Sequence, residues 1–194
     1  MRAAAVSLCG DGPAGFNARG RHRQNGMTML DRPETEMPAP FVSSQMRIEP
    51  PWIDFNGHLN MAYDVVFFDR AVDELYELLG LGPAYLRDHA HSTMVAEMHV
   101  RYLREVKESD PLRVRCQLLA FDSKRLHLFE ELVHATEGWV SATCETMTLH
   151  VDMTTKKVAP WPADVMNALE RLTLAHAALP IPDGAGRQVA MPKR

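Results

Sequence analysis

The passage Asp54-Phe55-Asn56-Gly57-His58-Leu59-Asn60 runs without a break into Met61-Ala62-Tyr63-Asp64-Val65-Val66-Phe67-Phe68, and the texture of the chain changes sharply at Asn60. From there Met61, Val65, Phe68, Val72, Leu75 and Leu79 recur at alternating spacings of four and three. That is one face of an α-helix of about five turns. Val66, Ala71 and Leu78 widen the stripe, so the helix is expected to be buried over much of its girth. Gly80 and then Gly82-Pro83 stop it. Ahead of the helix, Asp54, Asn56, His58 and Asn60 put hydrogen-bonding side chains on alternate positions. A helix start offers unpaired backbone amides and the positive end of the dipole, which suit a developing oxyanion. A carboxylate one turn upstream, Asp54, can act on the same carbonyl carbon that those amides polarise, and Gly57 permits the tight turn between them. The same residues also have a plainer reading, with Asn60 as the helix N-cap and Asp54 or Asn56 heading an Asx turn.

On either side of this passage the chain reads as strands. Phe41 to Ile48 suits a first strand, closed by Glu49-Pro50-Pro51. Ser92–Arg104, Leu112–Phe121, Leu126–His134 and the Thr-rich Trp139–Met153 follow as strands separated by turns such as Ser109-Asp110-Pro111 and Asp122-Ser123-Lys124. A terminal helix is expected over Ala163–Ala178. This order predicts an α+β fold in which an antiparallel β-sheet of four consecutive meandering strands wraps around a long central helix. It has no βαβ alternation, which excludes Rossmann and TIM architectures. Residues 1–40, rich in Gly, Pro, Arg and Asn without apolar periodicity, are expected as a disordered N-terminal extension. An over-long gene start, with Met27, Met29 or Met37 as initiator, is the companion reading. The domain is expected over 41–180, with a flexible tail over 181–194.

With 46% hydrophobic residues, 24% charged residues and a net charge of −4, the composition supports a core and lacks the basic excess of a nucleic-acid binder. The 3 cysteines, without a C-x-x-C pair, favour a reducing compartment over a disulfide scaffold. No apolar run approaches the roughly 20 residues of a membrane span, and the start lacks a signal-peptide core. A cytoplasmic protein with no nucleic-acid or membrane partner is expected. His89-Ala90-His91 with Glu97 and His99 matches no zinc spacing, and no metal or cofactor is expected.

The D-x-N-G-H-x-N segment at Asp54–Asn60, Tyr63 and the long apolar helix resemble the hotdog-fold acyl-CoA and acyl-ACP thioesterases of the 4-hydroxybenzoyl-CoA thioesterase-like group. The strand Glu97–Arg104 followed by Asp110-Pro111-Leu112 is similar to a passage of the same families. The likeness covers roughly Phe41 to Pro160. Within the group the chain looks most like bacterial thioesterases of carnitine and betaine breakdown that cleave betainyl-CoA. The resemblance implies a five- or six-stranded sheet around the helix, a homodimer or homotetramer, an acyl-CoA substrate and no metal. It places the catalytic carboxylate at Asp54, as nucleophile or as base for a water. Asn56 would position the water or carboxylate, His58 would orient Asp54 or shuttle a proton, and the backbone at Asn60–Met61 would hold the oxyanion. For a cationic acyl group, Trp52, Phe55, Tyr63 and Glu97 are candidates for a cage, although the aromatics also read as core packing. Lys107, Lys124 and Arg125 are candidates for CoA phosphates. Two other functions share the fold. An enoyl-CoA hydratase-type enzyme is disfavoured because Gly57 stands where those enzymes carry proline. A non-catalytic acyl-CoA-binding protein leaves Asp54 without a purpose.

Overall fold

The computed structural model describes residues 36–191. Residues 1–35 and 192–194, and with them most of the expected N-terminal extension, lie outside the described residues. The chain forms β1 (Phe41–Val42), a 3-10 turn (Pro50–Trp52), α1 (Met61–Leu79), α2 (Pro83–His89), β2 (His91–Tyr102), β3 (Leu112–Phe121), β4 (Arg125–His134), β5 (Val140–Asp152), β6 (Lys157–Val158) and α3 (Ala163–His176).

One antiparallel sheet carries these strands in the order β1-β3-β4-β5-β2, with β6 on the end of β5. The expected meander holds for β3, β4 and β5. β2 departs from it: the strand pairs with β5, not β3, in the register Tyr102↔Ala142 to His91↔Asp152. Alternation in the sequence defines a strand but not its neighbour, and residues 103–111 form a crossing connection instead of the tight hairpin that Ser109-Asp110-Pro111 suggested. The first strand is also shorter than Phe41–Ile48. Ser43 Oγ takes the Val114 amide at 2.9 Å and so interrupts the ladder, which resumes only as a bridge between Met46 and Leu112. α2 was not anticipated; Gly82-Pro83 ends one helix and, with proline in the first turn, starts the next. His89 closes that helix.

α1 lies across β3, β4 and β5. Asn60 caps it, accepting from the Ala62 amide at 3.0 Å, and Gly80 ends it in the left-handed region at φ 79°. Phe67, Phe68, Ala71, Leu75 and Leu79 are almost wholly buried against Leu112, Val114 and Cys116 of β3 and Leu126, Leu128 and Leu132 of β4. Each such large side chain stabilises the fold by roughly 1.5–3 kcal/mol. The buried face is rotated from the one expected: Met61 is 63% exposed, whereas Asp64 and Phe67 point inward. The helix is also wetter than expected, since Asp69, Arg70, Asp73 and Glu77 face out.

α3 packs on β3 and α1, and His176 accepts the Leu118 amide at 2.9 Å. Part of the segment expected as a flexible tail lies on the outer face of the sheet, where the Gly186 amide donates to Glu145 at 2.8 Å. Among the described residues no helix is long and apolar enough to cross a membrane.

Candidate active site

The loop ahead of α1 is shaped by its own polar residues. The Asp54 amide donates to the His58 carbonyl at 2.9 Å and the Gly57 amide to the Asp54 carbonyl at 3.0 Å. Gly57 stands at φ 82°, a conformation only glycine adopts freely. The Asp54 carboxylate closes the turn, with Oδ1 accepting from the amides of Asn56 at 2.8 Å and His58 at 3.3 Å. Among the described residues its Oδ2 has only a long contact, 3.4 Å, from the Asn56 side chain. The loop is anchored to the fold where Asn60 donates to the Trp52 carbonyl at 2.9 Å and Leu59 to the Val106 carbonyl at 3.0 Å.

This loop, the first turn of α1 and the end of β2 enclose a cavity of about 520 Å³. Asp54, Phe55, Asn56, His58, Asn60 and Met61 all line it, so the carboxylate and the amide end of the helix share one space. Among the described residues the Met61 amide donates to no acceptor. Tyr102 Oη donates to the Met61 carbonyl at 3.1 Å and ties β2 to the helix start. Partial desolvation works to raise the Asp54 carboxyl, but the amides of Asn56 and His58 outweigh it and hold the group below the ordinary carboxylate range. Asp54 is therefore ionised near neutrality.

His58 does not orient Asp54 with its ring. Its Nε2 lies 3.2 Å from Glu105 Oε2, and only its backbone touches Asp54. Asp64, Arg104, Glu105 and Ser141 line the same cavity and were not anticipated. Glu105 and Arg104 fall in an irregular connection that no local pattern marks. Asp64 did leave a signal, an acid three residues after Met61 on the face of an apolar helix. Burial pushes its carboxyl up to about 7.

The cage expected from Trp52, Phe55, Tyr63 and Glu97 is not assembled within the chain. Trp52 stacks on Tyr63 with ring centroids 5.2 Å apart and carries the Arg70 guanidinium 5.0 Å from its own centroid, so its ring faces are occupied. Phe55 is 97% exposed. Glu97 lies on the outer face of the sheet beside His99, His127 and Glu145. The CoA-phosphate candidates are also scattered. Lys107 follows Val106 at the cavity, but Lys124 and Arg125 stand at the far end of the sheet. Arg125 pairs there with Leu149 in β5, while Ala142 pairs with Tyr102 at the cavity. Those seven residues of strand span roughly 23 Å, and Arg125 is already committed to Asp122 at 2.6 Å.

A second, apolar cavity of about 190 Å³ opens between α1 and β2, lined by Val65, Val66, Val72, Val95 and Met98 with Glu130 at its floor. Glu130 Oε1 accepts from Thr146 Oγ1 at 3.1 Å while Oε2 is buried without a partner among the described residues, and burial pushes this acid up to about 8.

The chain has relatives among known proteins. The model of the thioesterase-like superfamily matches residues 48–169. The betainyl-CoA thioesterase of Pseudomonas aeruginosa is 39% identical over 143 residues, covering 74% of this chain and 90% of that protein. An L-carnitine dehydrogenase/betainyl-CoA thioesterase of Rhizobium meliloti is also 39% identical over 74% of this chain, which spans only 29% of that longer protein. Among solved structures, a Staphylococcus aureus protein in complex with CoA superposes with a TM-score of 0.73 at 22% identity, over 81% of this chain and 100% of that one.

Proposed function

The chain belongs to the thioesterase-like superfamily with a hotdog fold, and from that premise we propose that it hydrolyses betainyl-CoA to CoA and the free trimethylammonio acid, with Asp54 as the acting carboxylate. The observation that carries the reading is the shared cavity, in which an ionised carboxylate and the free amide end of a capped helix meet. Asp54 Oδ2, the less engaged oxygen, attacks the thioester carbon or takes a proton from a water that does. The carbonyl oxygen gathers charge at the Met61 amide. The C–S bond then breaks and CoA leaves as a thiolate, a good leaving group because thiols ionise near pH 8.5. The His58–Glu105 pair stands in the cavity to return a proton to that sulfur. If Asp54 attacks directly, water cleaves the resulting mixed anhydride and restores the carboxylate.

The active assembly in this reading is a homo-oligomer in the cytoplasm. β2 is a twelve-residue edge strand, free along one side among the described residues, that exposes Met94, Val95, Met98 and Tyr102. A long apolar edge is an aggregation hazard unless another copy covers it. Cys116 and Cys144 are buried free thiols, which suits a reducing compartment.

The test is release of free thiol from betainyl-CoA, aromatic and medium-chain acyl-CoAs side by side. Betainyl-CoA is expected to turn over fastest, and Asp54→Asn is expected to reduce kcat at least about 100-fold. Saturable binding with no thiol released, or near-normal turnover in the variant, would refute the reading.

A further inference from the structure

Asp64 is a buried acid without a counter-charge inside the reactive cavity. It is 4% exposed, and it lines the cavity with Met61 and Tyr102. Among the described residues no ion pair reaches its side chain, and its own backbone amide is the one group that favours the charged form. An ionised carboxylate placed so is costly until a positive charge arrives. The two basic side chains of the cavity are engaged elsewhere: Arg104 lies 4.0 Å over the Trp139 ring and His58 is 3.2 Å from Glu105. Asp54 and Glu105 add negative charge to the same walls. The space therefore lacks a cation that the protein does not supply.

Resting on the reading above, we infer that Asp64 is the specificity-determining residue for the acyl group, the counter-ion that selects acyl-CoAs bearing a quaternary ammonium one carbon from the thioester carbonyl. Residues three apart share a helix face, and the rise from Met61 to Asp64 is about 4.5 Å. A carbonyl held at the Met61 amide thus directs its α-substituent toward the Asp64 carboxylate. A quaternary ammonium donates no hydrogen bond and needs only opposite charge and contact surface. Asp64 provides the charge, and Met61, Tyr102 and Leu103 provide the surface.

The experiment compares kcat/KM for betainyl-CoA with that for its neutral carbon isostere, 3,3-dimethylbutyryl-CoA, in the full-length wild type and in Asp64→Asn. The wild type is expected to favour the cationic thioester, and the variant to lower that preference at least about tenfold, as loss of one close opposite charge implies. An unchanged ratio, or equal losses on both substrates as for a residue of the reaction itself, overturns the inference while leaving the proposed activity standing. A wild type that cleaves neither thioester overturns both. Should the variant fold too poorly to assay, the wild type decides. Tetramethylammonium chloride is expected to raise the KM for betainyl-CoA above its value in equal sodium chloride, and identical values would overturn the assignment.

Discussion

Whether a carboxylate is useful depends on its charge at working pH, and Asp54 and Asp64 are tuned in opposite directions. Two backbone amides keep Asp54 acidic, whereas burial raises Asp64 to about 7. The facing groups are His58 and Asp54 from the loop, Tyr102 from β2, and Arg104 and Glu105 beyond it. The kcat/KM for a cationic acyl-CoA is expected to rise as pH climbs through about 7, where Asp64 gains its charge, with no matching limb for the neutral isostere. Parallel pH–rate profiles would count against this. Asn60→Ala removes the side chain that accepts from Ala62 and is expected to cost about 1 kcal/mol in urea unfolding. Because the same cap aims the Met61 amide, kcat is expected to fall as well. Asp54 was legible in the sequence because polar side chains alternate at the mouth of an apolar helix, a pattern with a local cause. The partnership of His58 with Glu105 was not, since it joins a loop to a distant connection and leaves no local trace.

At the level of elements, the helix was legible in extent but not in orientation. The stripe beginning at Met61 fixed its length, yet burial of Phe67 and Asp64 turns it by part of a turn. Spacing alone cannot choose between adjacent faces when apolar residues surround the helix. Phe68, 1% exposed at the centre of α1, tests the packing: Phe68→Ala is expected to destabilise by roughly 3–5 kcal/mol, read as a lower urea midpoint at unchanged slope. β2 tests the proposed assembly. A charge at the middle of its exposed row, Val95→Lys, is expected to shift the protein toward monomer in light scattering, and an unaltered mass would place the contact elsewhere.

Over the whole molecule, the α+β class and the wrapped sheet were legible, while the position of β2 beyond β5 was not, because strand order depends on packing across the sheet. The full structure also brings two acids, Asp64 and Glu130, into the space between helix and sheet. Both hold their protons in the folded chain, up to about 7 and about 8, at pH values where the unfolded chain has already released them. Their contribution to stability is complete below about pH 4 and is lost as pH rises through those two values. Asp54, Asp122 and Asp152, held low by hydrogen bonds that outweigh desolvation, act in the reverse sense and lose their contribution in acid. The Tm is therefore expected to peak in mildly acidic buffer and fall toward pH 8.5. Glu130→Gln, which keeps a group for Thr146, is expected to reduce that fall, and a flat Tm profile in the wild type would contradict the account. It follows that the enzyme should keep best where it works worst: stocks would last longest under weak acid, while turnover would call for the alkaline side, where the empty scaffold is most easily lost.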